Sequence, residues 1–266
     1  MSATNASAPI PGMARLGVVW FIGAGPGDPE LITVKGKRLI EDADLVLYAG
    51  SLVPPAVVAC AKQTATVLDS AAMTLEQTHA LMRETALSGG LVARVHTGDP
   101  MLYGAVREQM RLLDADGIPY AVVPGVSAAF AAAAAAKISL TVPEIVQSFA
   151  ITRMDGRTPV PEGQGVAAYT RLGGSLAVYL SADDPEKLAT ELRRGGLGED
   201  TPILLAHKVG WPDQRLVRTT LATMSQSARE HGFNRQTVFL ILPGEKNEQS
   251  PASRLYAKEF SHGYRR

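Results

Sequence analysis

From Val18 to about Gly125 the chain alternates short apolar, β-branched runs with longer segments of helical character. The runs are Val18 to Ile22, Leu45 to Tyr48, Thr66 to Leu68, Leu91 to His96 and Tyr120 to Val123. Strand, helix, strand at these intervals implies a mostly parallel sheet, because parallel neighbours need a crossover rather than a tight turn. The helices carry their own signals. Thr74-x-x-Gln77 is a capping-box pattern heading a helix to Ser88, with apolar positions at Leu75, Met82 and Ala86. Val106, Met110 and Leu113 mark one face of the next helix, which Gly117 and Pro119 end.

The pattern changes between Lys137 and Arg171, where a strand-like Ile145 to Thr152 runs into the turn-rich MDGRTPVPEGQG. A second alternating block begins at Ser175 to Leu180. Asp184 and Pro185 form a cap and first-turn pair for a helix that Gly195 and Gly196 close. Ile203 to Ala206, Arg215 to Thr219 and Gln236 to Leu242 read as strands, and Leu221 to His231 as a helix. The expected fold class is α/β: two α/β lobes with mostly parallel or mixed sheets and a ligand cleft between them. Their expected extents are 17–140 and 141–245, flanked by tails at 1–16 and 246–266. A chain of 266 residues is long enough to bury two such cores.

Composition narrows the function. The 26 basic and 26 acidic side chains cancel, so no overall field draws the chain to nucleic acid or an anionic membrane. Cys60 is the only cysteine, which excludes an internal disulfide and a Cys-based zinc site and fits a reducing, cytoplasmic setting. With no close His pair either, no metal site is expected. MSATNASAPIPGMARLG lacks the apolar core of a secretory signal, and no run approaches the roughly 18 apolar residues of a membrane span.

VVWFIGAGPGDPEL is the most distinctive stretch, a buried strand running into Gly23, Gly25 and Gly27. It is not a dinucleotide fingerprint. Asp28 stands where that pattern wants its third glycine, Pro26 removes a donor, and the strand ending at Tyr48 has no terminal acid for a ribose. What remains is a tight loop that lets a ligand approach the backbone closely. Two further loops occupy matching places in the sheet. VARVHTGDPMLYG brings Thr97, Gly98 and Asp99 to a strand end, and VVPGVSAAF does so for Gly125, Ser127 and Ala128. In an open parallel sheet those carboxyl ends border the binding crevice. Taken alone, Asp99 before Pro100 reads equally as a helix cap.

GAGPGDPELIT, GDPMLYG, PGVSA and WPDQR occur in this order across Val18 to Gly244, and together they resemble the tetrapyrrole methylase family. Within it, LYAGSLVP at 47–54 and TRMDGRTPVPEG at 152–163 look most like the branch acting at C-11 of precorrin-4 in cobalamin biosynthesis. Its anaerobic counterpart acts on the cobalt-bearing substrate. The resemblance implies a methyltransferase, usually a homodimer, that uses S-adenosylmethionine. It places the cofactor contacts on Pro26, Thr97, Gly98, Asp99, Leu102, Ser127 and Ala128. From the second lobe it adds Leu180, where relatives often carry methionine, and Val209, where they often carry glycine.

A methyl sulfonium is already activated, so positioning is the main catalytic demand and no Ser-His-Asp or Cys-His set is required. No catalytic base is assigned. A polycarboxylate tetrapyrrole calls for guanidinium forks, for which Arg153, Arg157 and Arg171 are available, with a solvated loop as the competing reading. Tyr48 and Ser51 are further substrate-side candidates. His96 reads as a packed, hydrogen-bonded strand-end residue rather than a catalyst. A non-catalytic sensor of an adenosyl ligand is the alternative of a different class. It would share the cofactor loops without needing a pocket for a large anion.

Overall fold

The first five strands are parallel throughout, as their spacing requires. In the computed structural model, which describes residues 16–246 together with Ser253 and Ser261, β1 (Val18–Gly23), β2 (Leu45–Tyr48), β3 (Thr66–Asp69), β4 (Leu91–His96) and β5 (Tyr120–Val123) form one sheet. The order is β3-β2-β4-β1-β5, and every neighbouring pair is parallel. The crossovers contain α1 (Val34–Asp42), α2 (Pro55–Val58), α3 (Leu75–Leu87) and α4 (Val106–Ala115). The assigned tails lie almost entirely outside the described residues.

Side chains alternate across the sheet and divide its packing into two faces. Ile22, Ala93 and Val95 bury against Leu39 and Ile40 of α1 on one face. Phe21 and Val92 meet Met82 and Ala86 of α3 and Leu113 of α4 on the other. The chain therefore leaves the adjacent strands β1 and β4 toward opposite faces. That is a topological switch point, where the loops part and leave a crevice at the carboxyl edge. Local signals place the helices. Thr74 and Gln77 form the reciprocal capping box at α3. The helix after the glycine loop begins only at Val34, because Asp28 first caps a short 3-10 turn at Pro29–Leu31.

The second sheet joins β6 (Phe149–Arg153), β7 (Ser175–Tyr179), β8 (Pro202–His207), β9 (Arg215–Thr220) and β10 (Thr237–Ile241) in the order β6-β7-β10-β8-β9. It is mixed. β6 and β7 are parallel, while β10 runs antiparallel to both β7 and β8, and β8 and β9 pair antiparallel. The carboxyl ends of β6, β7 and β8 consequently share one edge. α5 (Ala128–Ala136), α6 (Val166–Thr170), α7 (Pro185–Arg194) and α8 (Met224–Glu230) complete this unit. Leu188, Leu192, Met224 and Phe239 are at its core. Asp184 caps α7, accepting from Lys187 N–H at 2.9 Å, and Gly195 stands at its C-cap.

Three boundaries differ from the sequence reading. The chain divides into two compact units after Ser127, not near residue 140. α5, built almost wholly of alanine, packs against β10. A helix without an apolar stripe gives no sequence sign of which sheet it covers. The strand expected over Ile145 to Thr152 begins at Phe149, since Val142 and Val146 pair in an isolated bridge before it. The last helix begins at Met224 rather than Leu221.

Candidate functional site

Three glycines at the carboxyl edge of the first sheet touch one another. A Cβ on Gly125 would lie 2.0 Å from the Gly98 carbonyl oxygen and 2.7 Å from Gly23 Cα, and one on Gly23 would lie 2.5 Å from Gly125 N. The sequence permits this contact by offering nothing larger at all three positions. Hydrogen bonds lock the loops. Gly98 N–H donates to the Gly25 carbonyl at 2.8 Å and Gly25 N–H to the Gly98 carbonyl at 3.3 Å. Asp99 ties in the third loop, its two oxygens accepting from Met101 N–H at 2.8 Å and Gly125 N–H at 3.0 Å. Thr97, Gly98, Asp99 and Ser127 are thereby brought to one place, with Pro26 buried in the adjoining turn. Leu102 follows, its N–H donating to the Asp99 carbonyl at 3.2 Å.

Two readings of these loops change. Gly25 has φ +72°, and a Cβ there would meet the Leu31 carbonyl oxygen at 3.0 Å. The lack of a side chain at Gly25 thus serves the protein's own 3-10 turn. Gly98 has the open side, because a Cβ there would meet nothing closer than 3.8 Å although its φ is +58°. Asp99 engages both carboxylate oxygens with backbone N–H groups, so its side chain builds the loop.

His96 ends β4 with 5% of its surface exposed, its ring 6.0 Å from that of Phe21. It is packed as expected, but its buried Nε2 has no hydrogen-bond partner among the described residues. Burial, reinforced by the charge of Arg94, lowers its pKa to about 3. The ring is therefore neutral at physiological pH. Tyr48 is half-buried at the end of β2 and Ser51 is exposed.

In the second unit, the carboxyl ends of β6, β7 and β8 carry Arg153, Leu180 and Val209. Leu180 holds φ +51° and is 65% exposed, an unfavourable backbone state for a bulky residue. Lys208, also left-handed at φ +48°, introduces buried Val209. The WPDQR turn closes on itself, with Gly210 N–H donating to Gln214 Oε1 at 2.8 Å and Gln214 N–H to the Trp211 carbonyl at 3.0 Å. Ala128 opens α5, and the next residue, Ala129, donates its N–H to the Tyr179 hydroxyl at 2.7 Å. No sequence pattern pointed to that cap, because its two partners are 50 residues apart.

The arginines separate. Arg153 grips its own loop, donating from Nη1 to the carbonyls of Met154 at 3.2 Å and Thr158 at 3.0 Å, and from Nη2 to that of Pro159 at 2.9 Å. Its side chain is accounted for by loop structure. Arg157 is exposed on that loop, and Arg171 is exposed at the end of α6.

A parallel sheet with a glycine-packed switch point, followed by a mixed sheet, makes this a two-unit α/β protein with a ligand crevice expected at the switch point. The chain belongs to the Tetrapyrrole (Corrin/Porphyrin) Methylases, whose family profile matches residues 18–225. A cobalt-precorrin-4 C(11)-methyltransferase of Priestia megaterium is 43% identical over 251 residues, 93% of this chain and 97% of the relative. A precorrin-4 C(11)-methyltransferase of Pseudomonas aeruginosa is 43% identical over 247 residues, 93% of this chain and 98% of the relative. Among solved structures, the cobalt precorrin-4 methyltransferase CbiF matches with a TM-score of 0.82 at 44% identity, covering 84% of this chain and 94% of its own. Uroporphyrin-III C-methyl transferase from Thermus thermophilus, complexed with S-adenyl homocysteine, matches with a TM-score of 0.70 at 27% identity, covering 85% and 92%.

The glycine contact orders two substitutions. Gly125→Ala, which drives a Cβ into backbone on two sides, should destabilise the fold by roughly 3 kcal/mol or more. Gly98→Ala has space and should cost only the left-handed strain, about 1–2 kcal/mol. Urea midpoints would show the order, and a Gly125→Ala protein as stable as Gly98→Ala would contradict the packing.

His96 gives a pH dependence of known sign. An unfolded chain protonates this ring near pH 6.5, whereas the folded one resists until about 3. Its contribution to stability is complete above about 6.5 and declines as pH falls toward 3, by up to about 1.4 kcal/mol per unit. His96→Phe should narrow the stability difference between pH 7.5 and pH 5 by roughly 2 kcal/mol, measured by urea unfolding at both values. An unchanged difference would show that His96 titrates normally.

Proposed function

We propose that this protein is an S-adenosylmethionine-dependent methyltransferase of cobalamin biosynthesis that methylates precorrin-4 at C-11 to give precorrin-5. The observation carrying this reading is near-full-length similarity to two relatives named for C(11) methylation, one of precorrin-4 and one of cobalt-precorrin-4, together with the CbiF match. Those relatives, both at 43% identity, are named for cobalt-precorrin-4 and for precorrin-4, so the cobalt-bearing form of the substrate is the second reading.

The residues at the switch point suit this cofactor. The loops 23–28, 97–104 and 124–128 contain no lysine or arginine, which argues against a pyrophosphate. They offer backbone, small hydroxyls and carboxylates, and Gly98 leaves the space a side chain would fill. This donor set accommodates an uncharged nucleoside and tolerates a sulfonium cation. Bound S-adenosylmethionine supplies an electrophilic methyl group that needs no further activation.

Thr97, Gly98 and Ser127 would hold the adenosyl portion, with Pro26, Leu102 and Ala128 as apolar contacts and Asp99 contributing through the loop it shapes. Leu180 and Val209 are the second unit's candidates for the same role. Strain at Leu180 and Lys208 fits strand ends shaped for a ligand rather than for stability alone. Tyr48, Ser51 and Arg157 are the substrate-side candidates, and Arg153 would act by shaping the loop that presents Arg157. The protein's contribution to the reaction is then alignment of the attacking carbon. A homodimer in the cytoplasm is part of this reading. Among the described residues no helix is long and apolar enough to cross a membrane, and no group of three or more His, Cys, Asp or Glu side chains could hold a metal ion.

Purified protein should bind S-adenosylhomocysteine in a calorimetric titration and convert precorrin-4 to a product one methyl heavier, labelled at C-11 when the donor methyl is carbon-13. Supplying the cobalt and metal-free substrates in parallel decides between the two forms. Cofactor binding without turnover of either would favour the sensor alternative, and no binding would remove the cofactor assignment.

Arg157→Ala should weaken substrate affinity about tenfold to hundredfold, the loss of a charge-assisted bond of roughly 1.5–3 kcal/mol. Affinity for S-adenosylhomocysteine should be unchanged, and Arg157→Lys should restore only part of the loss. Wild-type turnover at low salt would show that Arg157 does not contact substrate.

A further inference from the structure

Arg94 lies two residues before the end of β4, on the face that α3 and α4 cover, and only 7% of it is exposed. Nε donates to Gln109 Oε1 at 3.0 Å, and Nη1 donates to Ser70 Oγ at 2.8 Å and the Leu47 carbonyl at 3.3 Å. Gln109 is itself fixed, its Nε2 donating to the Ala105 carbonyl at 3.2 Å. Every one of these partners is neutral. Among the described residues no carboxylate lies within ion-pair distance of Arg94, and Nη2 makes no hydrogen bond.

A buried charge without a counter-charge is costly and calls for an explanation. Burial lowers the pKa of Arg94 to about 10, so the group stays cationic at neutral pH. It lines a cavity of about 210 Å³ together with Ser70, Thr74, Thr78, Glu108 and Gln109. That volume is many times the roughly 10–15 Å³ of accessible space that one water molecule needs. α3 and α4 both contribute their first turns to the wall, which adds two positive dipole ends. Ala105, at the N-cap of α4, has no side chain to satisfy the free N–H groups there.

We propose that this cavity binds a small carboxylate, with Arg94 as its buried counter-charge. The single guanidinium, the hydroxyls beside it and the carboxylate of Glu108 on the wall suit a planar monoanion better than a doubly charged phosphate. Glu108 is exposed and can turn to solvent, so it weakens the site without closing it. The carboxylate is either free in solution or a side chain of a larger polycarboxylate. This proposal does not depend on the methyl-transfer reading.

The test is thermal unfolding of the full chain in sodium propionate, against sodium chloride and neutral propionamide at matched concentrations. Mass action predicts a rise in Tm of about 3 °C at ten times the dissociation constant, beyond either control. Glu108→Gln, a surface change, should enlarge the propionate-specific rise, and Arg94→Met should abolish it. If Arg94→Met does not fold, wild type and Glu108→Gln still decide. A propionate effect no greater than that of chloride in both would overturn the site. Titrating propionate against a bound porphyrin octacarboxylate then assigns the source. Competition identifies a tetrapyrrole side chain as the occupant, and independent binding identifies a free acid.

Discussion

The close contact of Gly23, Gly98 and Gly125 is the constraint on which the carboxyl edge of the first sheet depends. β1, β4 and β5 are neighbours in that sheet, and their loops must leave it within a few ångströms of one another. Backbone touching backbone is possible only without side chains, and the distances at Gly125 leave no latitude. Once the loops touch, their polar groups need partners. The Gly25–Gly98 exchange and the two bonds to Asp99 supply them. Removing the contact would separate the loops and leave buried amides unsatisfied, which is why a fragile-looking glycine loop is a rigid element.

A consistent division of labour follows at both sheets. Side chains with strong hydrogen-bonding capacity hold the protein's own loops: Arg153 and Gln214 close the turns they stand in, Asp99 joins its loop to the one at Gly125, and Ser181 accepts from Met154 N–H in the loop after β6. A loop closed by its own side chains presents backbone and small residues to a ligand. Contacts made by a main chain depend on φ and ψ, and the left-handed geometry at Leu180 is an imposed feature that does not follow from leucine's preferences.

Local chemistry was legible in the sequence, and long-range partnership was not. The parallel sheet followed from alternation, the capping box from Thr74 and Gln77, and α7 from Asp184, Pro185 and the paired glycines. All of these signals act over a few residues. The destination of α5 was hidden because alanine on every side leaves no preferred face, and the Tyr179 hydroxyl that caps it is distant in sequence. The family resemblance located the site loops, yet it could not distinguish a residue that faces a ligand from one that builds the loop. The resemblance places a cofactor contact on Asp99, and the guanidinium fork makes Arg153 a candidate for a substrate carboxylate. In the structure both side chains hydrogen-bond to the backbone of nearby loops.

Arg94 and His96 show how burial turns one strand into an electrostatic device. They alternate onto the same face of β4, two residues apart, in a sheet that excludes water. Two positive charges there would repel each other at low effective dielectric. The conflict resolves in favour of the guanidinium, whose pKa near 10 keeps it charged, while the imidazole, at about 3, stays neutral. The outcome follows from intrinsic basicity, since burial lowers both groups but only histidine begins close to neutrality. Substituting lysine for Arg94 would retain a cation but shorten its reach and forfeit the fork that holds Ser70, Leu47 and Gln109 together. The positive charge is therefore held in place by three neutral partners, with no carboxylate among the described residues within ion-pair distance of it.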